Sequence, residues 1–99
     1  MKPRNELSRE AAEKLAIQAL TYLASDSERL DRFLALSGMD HASIRAASTE
    51  PGFLSGVLEH VAGDERLLIE FAEFVELNPL EIDRARATLS GQRWHRDIP

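Results

Sequence analysis

The chain contains no cysteine, which removes disulfides, thiolate metal sites and cysteine nucleophiles at once. Aromatic residues are scarce: one Trp, one Tyr and four Phe in 99 residues, so any core is mainly aliphatic. Uninterrupted apolar runs last only a few residues, far short of the roughly 20 that a membrane-spanning helix needs. The opening stretch Met1-Lys2-Pro3-Arg4-Asn5-Glu6 is polar where a secretory signal turns apolar. A cytoplasmic protein without a membrane role is expected. Phosphate-cradling glycine motifs are missing as well: neither Gly-x-x-x-x-Gly-Lys nor Gly-x-Gly-x-x-Gly occurs. Gly52-Phe53-Leu54-Ser55-Gly56 is not a nucleophile elbow, because Ser55 stands one place too late and inside a helical segment.

What is present suits one small globular domain. Apolar residues make up 43% of the chain, the ordinary share for a packed core, and the length leaves no room for a second domain. A domain this small buries a modest fraction of its surface, so a monomer or a homodimer is expected. The net charge of -5 is unevenly spread. Residues 1–49 balance seven acidic against seven basic side chains, residues 50–83 carry nine acidic and one basic (Arg66), and residues 84–99 carry four arginines against Asp97. The acidic stretch repels a phosphate backbone, which makes nucleic acid a disfavoured partner.

The apolar spacing is helical almost throughout, and period-two alternation is absent over any useful length. A first helix is expected over Arg9–Ala24, capped by Ser8, with Ala12, Leu15, Ala16, Ala19, Leu20 and Leu23 on one face. Ser25-Asp26-Ser27-Glu28 reads as a capping box opening a second helix, whose Leu30, Phe33 and Leu34 face inward and which Gly38 stops. A short third helix is expected over His41–Ser48, capped by Asp40. A fourth opens at Pro51, uses Phe53, Leu54, Val57, Leu58 and Val61, and ends at Gly63; Gly56 within it is a candidate for close packing. The fifth, from Asp64 to Glu76, carries Leu67, Leu68, Phe71, Ala72 and Val75, with Ile69 and Phe74 beyond that stripe, and is expected to be central. The sixth opens at Asn78-Pro79, turns Leu80, Ile82, Ala85 and Leu89 inward and closes at Gly91. The expected organisation is therefore an N-terminal arm (1–8), a helical domain (9–91) and a flexible tail (92–99). The fold class is all-α: a compact bundle of five or six short helices, orthogonally packed.

Three segments carry a resemblance: Glu28-Arg29-Leu30-Asp31-Arg32-Phe33-Leu34, Pro51-Gly52-Phe53-Leu54-Ser55-Gly56-Val57-Leu58 and Asp64-Glu65-Arg66-Leu67-Leu68-Ile69-Glu70-Phe71-Ala72. In that order they resemble a family of small bacterial proteins known as a domain of unknown function, over roughly residues 9–91. These are mostly core and cap residues, so the resemblance implies a shared fold. It implies no activity and transfers no functional residue.

Candidate chemistry is thin. Phe33, Leu34, Gly38, Met39, Ile44 and Ala47 follow helix-turn-helix spacing, with Arg45 the one firm positive charge the second helix would offer a groove. Leu34 stands where that motif usually has a small residue. His41, His60 and His95 do not gather into a metal site; His60 and Asp64 are interrupted by Gly63, and His60 is expected to be solvated. Glu70, Glu73 and Glu76 read as a solvated acidic face, since perturbed acids need a cleft. Arg93-Trp94-His95-Arg96 could stack on and pair with a partner. The sequence thus points to a non-enzymatic protein-interaction module with no catalytic residue, cofactor or metal, and with Arg45, Arg93, Trp94, His95 and Arg96 as candidate contacts to an unidentified protein. The alternative is a helix-turn-helix nucleic-acid binder using helices two and three.

Overall fold

A computed structural model describes the backbone of residues 8–50 and 52–97, and the side chains of those residues as far as residue 90. Among the described residues there are six helices and no strand: α1 (Arg9–Ala24), α2 (Ser27–Ser37), α3 (Ile44–Ala47), α4 (Phe53–Ala62), α5 (Glu65–Val75) and α6 (Pro79–Asp97). The all-α expectation holds.

Local chemistry explains most of the boundaries. Ser8 has extended backbone, and its Oγ accepts the Ala11 N–H at 3.0 Å, starting α1. The second cap differs from the expected box. Ser25 is still in the helical basin, and its hydroxyl donates to the Tyr22 carbonyl at 2.7 Å, so it closes α1. Asp26 is the extended residue, and its carboxylate accepts the Glu28 N–H at 2.9 Å. An N-cap must leave the helical basin, so Asp26 takes that role and Ser25 cannot. Gly38 adopts φ 74° and lets the Met39 N–H reach back to the Leu34 carbonyl, which ends α2.

The third helix is shorter than expected, four residues in place of eight. Asp40 Oδ1 accepts both the backbone N–H and the hydroxyl of Ser43, which commits residues 41–43 to a turn. Gly52, at φ 92°, puts a left-handed step before α4, so that helix begins at Phe53. Pro51, expected to open it, lies outside the described residues. Asp64 caps α5 through the Leu67 N–H. That helix ends on Glu76 in the left-handed region at φ 60°, with Leu77 N–H bonded to the Ala72 carbonyl. Asn78 Oδ1 accepts the Leu80 N–H at 2.9 Å and Pro79 is the first residue of α6, as expected.

The helix does not close at Gly91. Its backbone continues to Asp97, into the stretch expected as a flexible tail. An interior glycine costs only about 1 kcal/mol relative to alanine, and the residues after it are competent helix formers.

α1, α4 and α6 pack against one another; α2 lies on α1, and α5 leans on α4 and α6. The smallest extent of the molecule, 19 Å, corresponds to two layers of helices about 10 Å thick. Ala12, Ala16 and Ala19 are fully buried on α1 and let its neighbours approach; Leu15, Tyr22 and Leu23 fill the space beside them. Val57, Leu58 and Val61 of α4 and Ile82 and Ala85 of α6 are fully buried.

Two expectations about facing fail. α5 is peripheral: only Phe71 and Ala72 are buried, while Ile69 and Phe74 stand in solvent. α4 packs on α1, α5 and α6 and so holds the central place, whereas α5 leans on α4 and α6 from the edge and leaves those side chains uncovered. Leu80 is 64% exposed because it precedes Ile82 by two residues, which puts it on the opposite side of the helix. Gly56 does not serve close packing either; a methyl group there would meet nothing within 4 Å.

Candidate functional site

Two surface features stand out from the fold. The first is a cleft of about 140 Å³ lined by Arg29 and Arg32 of α2, His60 of α4, and Asp64, Arg66, Leu67 and Glu70 at and after the cap of α5. Arg29 and Arg32 are three apart, so they share one face of α2. The Arg29 guanidinium lies 4.2 Å over the Tyr22 ring, and one of its nitrogens is 3.7 Å from Asp26. The His60 ring meets Phe33 edge-on with centroids 5.1 Å apart, and Phe33 in turn packs edge-on against Phe53. Burial, more than any charge, holds the His60 proton affinity below its ordinary value. Asp64 opposes that shift and Arg32 adds to it. Half-buried against an aromatic ring, His60 is not the freely solvated histidine that its sequence position suggests.

The second feature is the α5–α6 corner. Phe74 is 59% exposed and Leu80 is 64% exposed, with Leu77 between them partly uncovered. Phe74 rests one face near Tyr22, at a centroid distance of 4.9 Å, and leaves the rest to solvent. Glu73 and Glu76 are exposed beside these residues, and the corner belongs to the most acidic stretch of the chain.

The residues singled out from sequence do not form a site together. Arg45 is exposed on α3, where the single helical turn falls well short of a recognition helix that could fill a groove. The backbone of residues 93–96 is helical, and the side chains of Arg93, Trp94, His95 and Arg96 lie outside the described residues. Among the described residues, no three His, Cys, Asp or Glu side chains group closely enough to share a metal ion. No described helix is long and apolar enough to cross a membrane. Ser55, set aside as a nucleophile, is buried in α4; its hydroxyl lies 3.3 Å from that of Ser90, which donates to Glu59 at 2.7 Å. That chain of hydrogen bonds ties α4 to α6. Sequence reasoning missed Arg29, Arg32 and Arg66 as a group. Their only signal was the Arg29–Arg32 spacing, because α2 and α5 meet only in three dimensions.

A family model described as "Protein of unknown function (DUF3572)" matches residues 9–92. No match was found among curated proteins or among solved structures.

Proposed function

The chain belongs to this family of unknown function, and from its surface we propose a non-enzymatic protein-interaction module that uses the α5–α6 corner as its contact face. The exposure of Phe74, Leu77 and Leu80 along the α5–α6 connection carries the reading. Leaving large apolar side chains in water forgoes roughly 1.5–3 kcal/mol each, and a partner that covers them recovers it. The exposed Glu73 and Glu76 supply the polar rim such a face needs. This reading asks for no catalytic group and no cofactor. We place the protein in the bacterial cytoplasm as part of the same reading; a cysteine-free chain has no need of an oxidising compartment. Nucleic acid is the weaker partner, since α3 brings one arginine on one turn.

The test is capture of partners by the tagged protein in its native host, with and without nuclease, beside the double variant Phe74→Ser/Leu80→Ser. A stoichiometric protein that survives nuclease and disappears with the double variant is expected. Capture that ignores the double variant, or that depends on nucleic acid, overturns the reading. Both positions are exposed, so the variant should retain its wild-type helical circular dichroism.

A further inference from the structure

The cleft between α2 and α5 goes beyond that reading. We propose that it is a binding site for a phosphate-class dianion, held by the guanidinium groups of Arg29 and Arg32 with the ring of His60 as a further donor.

Three arginines, Arg29 and Arg32 of α2 and Arg66 of α5, line one small cleft. Each offers a planar fork of N–H donors that matches the oxygens of a tetrahedral oxyanion. Two are suited to the task in different ways. Arg29 is held in place by the Tyr22 ring at 4.2 Å, which lowers the entropic cost of using it. Arg32 forms no ion pair with any described residue, so its donors need not be withdrawn from a carboxylate. His60 is kept in position by the edge of Phe33 and can donate from the third side.

The carboxylates of the cleft oppose an anion and must be weighed. Asp64 accepts the Leu67 N–H at 3.2 Å as the α5 cap and keeps its negative charge, which the arginines must outweigh. Glu70 stands 3.9 Å from Arg66, so this pair largely neutralises itself at the outer edge. Within the cleft, the positive charge not drawn into an ion pair among the described residues is that of Arg32, near His60, since Arg29 also stands 3.7 Å from Asp26. A group with two negative charges engages both α2 arginines at once, which a singly charged carboxylate does less well. Free phosphate and an organic phosphate monoester share this chemistry.

Nuclear magnetic resonance of the full chain tests the proposal, with inorganic phosphate, glycerol phosphate and, at matched ionic strength, sodium chloride as titrants. Saturable shifts of the His60 ring protons and the Leu67 amide are expected with at least one phosphate titrant and not with chloride. Tighter saturation by glycerol phosphate assigns the site to an ester; tighter saturation by inorganic phosphate assigns it to the free ion. Arg32→Gln should weaken binding about tenfold, the scale of one charge-assisted hydrogen bond. Arg45→Gln, on α3 and not part of the cleft lining, should leave it unchanged. Shifts that follow ionic strength alike for all three titrants overturn the site, as does an Arg32→Gln variant that binds phosphate as tightly as the parent.

Discussion

Gly56 and Gly63 respond oppositely to the same added methyl group. Gly56 is exposed within α4, and a Cβ there meets open space. Gly56→Ala should therefore stabilise the fold by about 0.5–1 kcal/mol, chiefly by restricting the unfolded chain. A Cβ on Gly63 would sit 2.9 Å from the Glu59 carbonyl oxygen, so Gly63→Ala should destabilise. Thermal melts of the two variants check the pair. His60 offers a second test at this scale. Its proton affinity in the folded state lies below the ordinary value of 6.5, principally through burial. As pH falls through 6.5, the unfolded chain takes up a proton at this position before the folded chain does. Stability should drop over that range and be restored as pH rises above it. His60→Gln should flatten this part of the stability–pH curve, measured by urea titration at several pH values. Both residues had sequence readings that missed their surroundings: Gly56 was a candidate for close packing and His60 for full solvation. What decides each is the neighbour across the helix interface, which no local pattern records.

At the scale of the helix, caps were legible and facing was only partly so. Ser8, Gly38 and Asn78 act where expected, because a cap is a bond between residues two to five apart. The α2 cap moved by one residue, from Ser25 to Asp26, since two candidate side chains were adjacent and only backbone conformation separates them. The ion pairs do little to arrange the helices. Among the described residues, five of six join residues three or four apart on one chain segment, and such exposed pairs contribute about 0.3–0.5 kcal/mol each. The sixth, His41–Asp31, spans a longer separation and ties the turn after α2 back to that helix at 2.9 Å. α5 provides the sharpest prediction. Phe71 is fully buried and Phe74 is mostly exposed, on the same helix and three residues apart. Phe71→Ala should cost roughly 3–5 kcal/mol, the range for emptying a buried aromatic site. Phe74→Ala should cost far less. Urea denaturation of the two variants measures the difference, and equal losses would mean that the outer face of α5 is covered.

For the whole molecule, the mutual packing of α1, α4 and α6 implies a gradient of local stability. Their amides are shielded by the fully buried side chains of the core, whereas α3 has no buried residue. Native-state hydrogen exchange should therefore be slowest in α1, α4 and α6, close to the rate set by global unfolding, and fastest in α3. Slow exchange in α3 would contradict the assignment of the core to those three helices. The same arrangement sets out the surface. α2 and α5 flank the central helices, so the arginines of one and the Asp64–Glu70 segment of the other face a common cleft. The α5–α6 connection leaves Phe74 and Leu80 outside the core. Charge follows sequence more closely: the excess of acid over residues 50–83 remains a property of the surface around α4, α5 and the start of α6.

The helical class, the extent of α1, several of the caps and the greater part of the core, from Ala12 on α1 to Leu89 on α6, are legible along the chain. These follow from short-range hydrogen bonding and from a period of 3.6 residues, both of which are written along the chain. Only the tertiary structure decided that α4 lies inside and α5 at the edge, that Leu80 faces water, and that α6 continues past Gly91. It alone brought Arg29, Arg32 and His60 to one cleft. An apolar stripe says that a helix will be covered, but which helix covers it depends on contacts between residues far apart in sequence. The position of a binding surface depends on the same contacts.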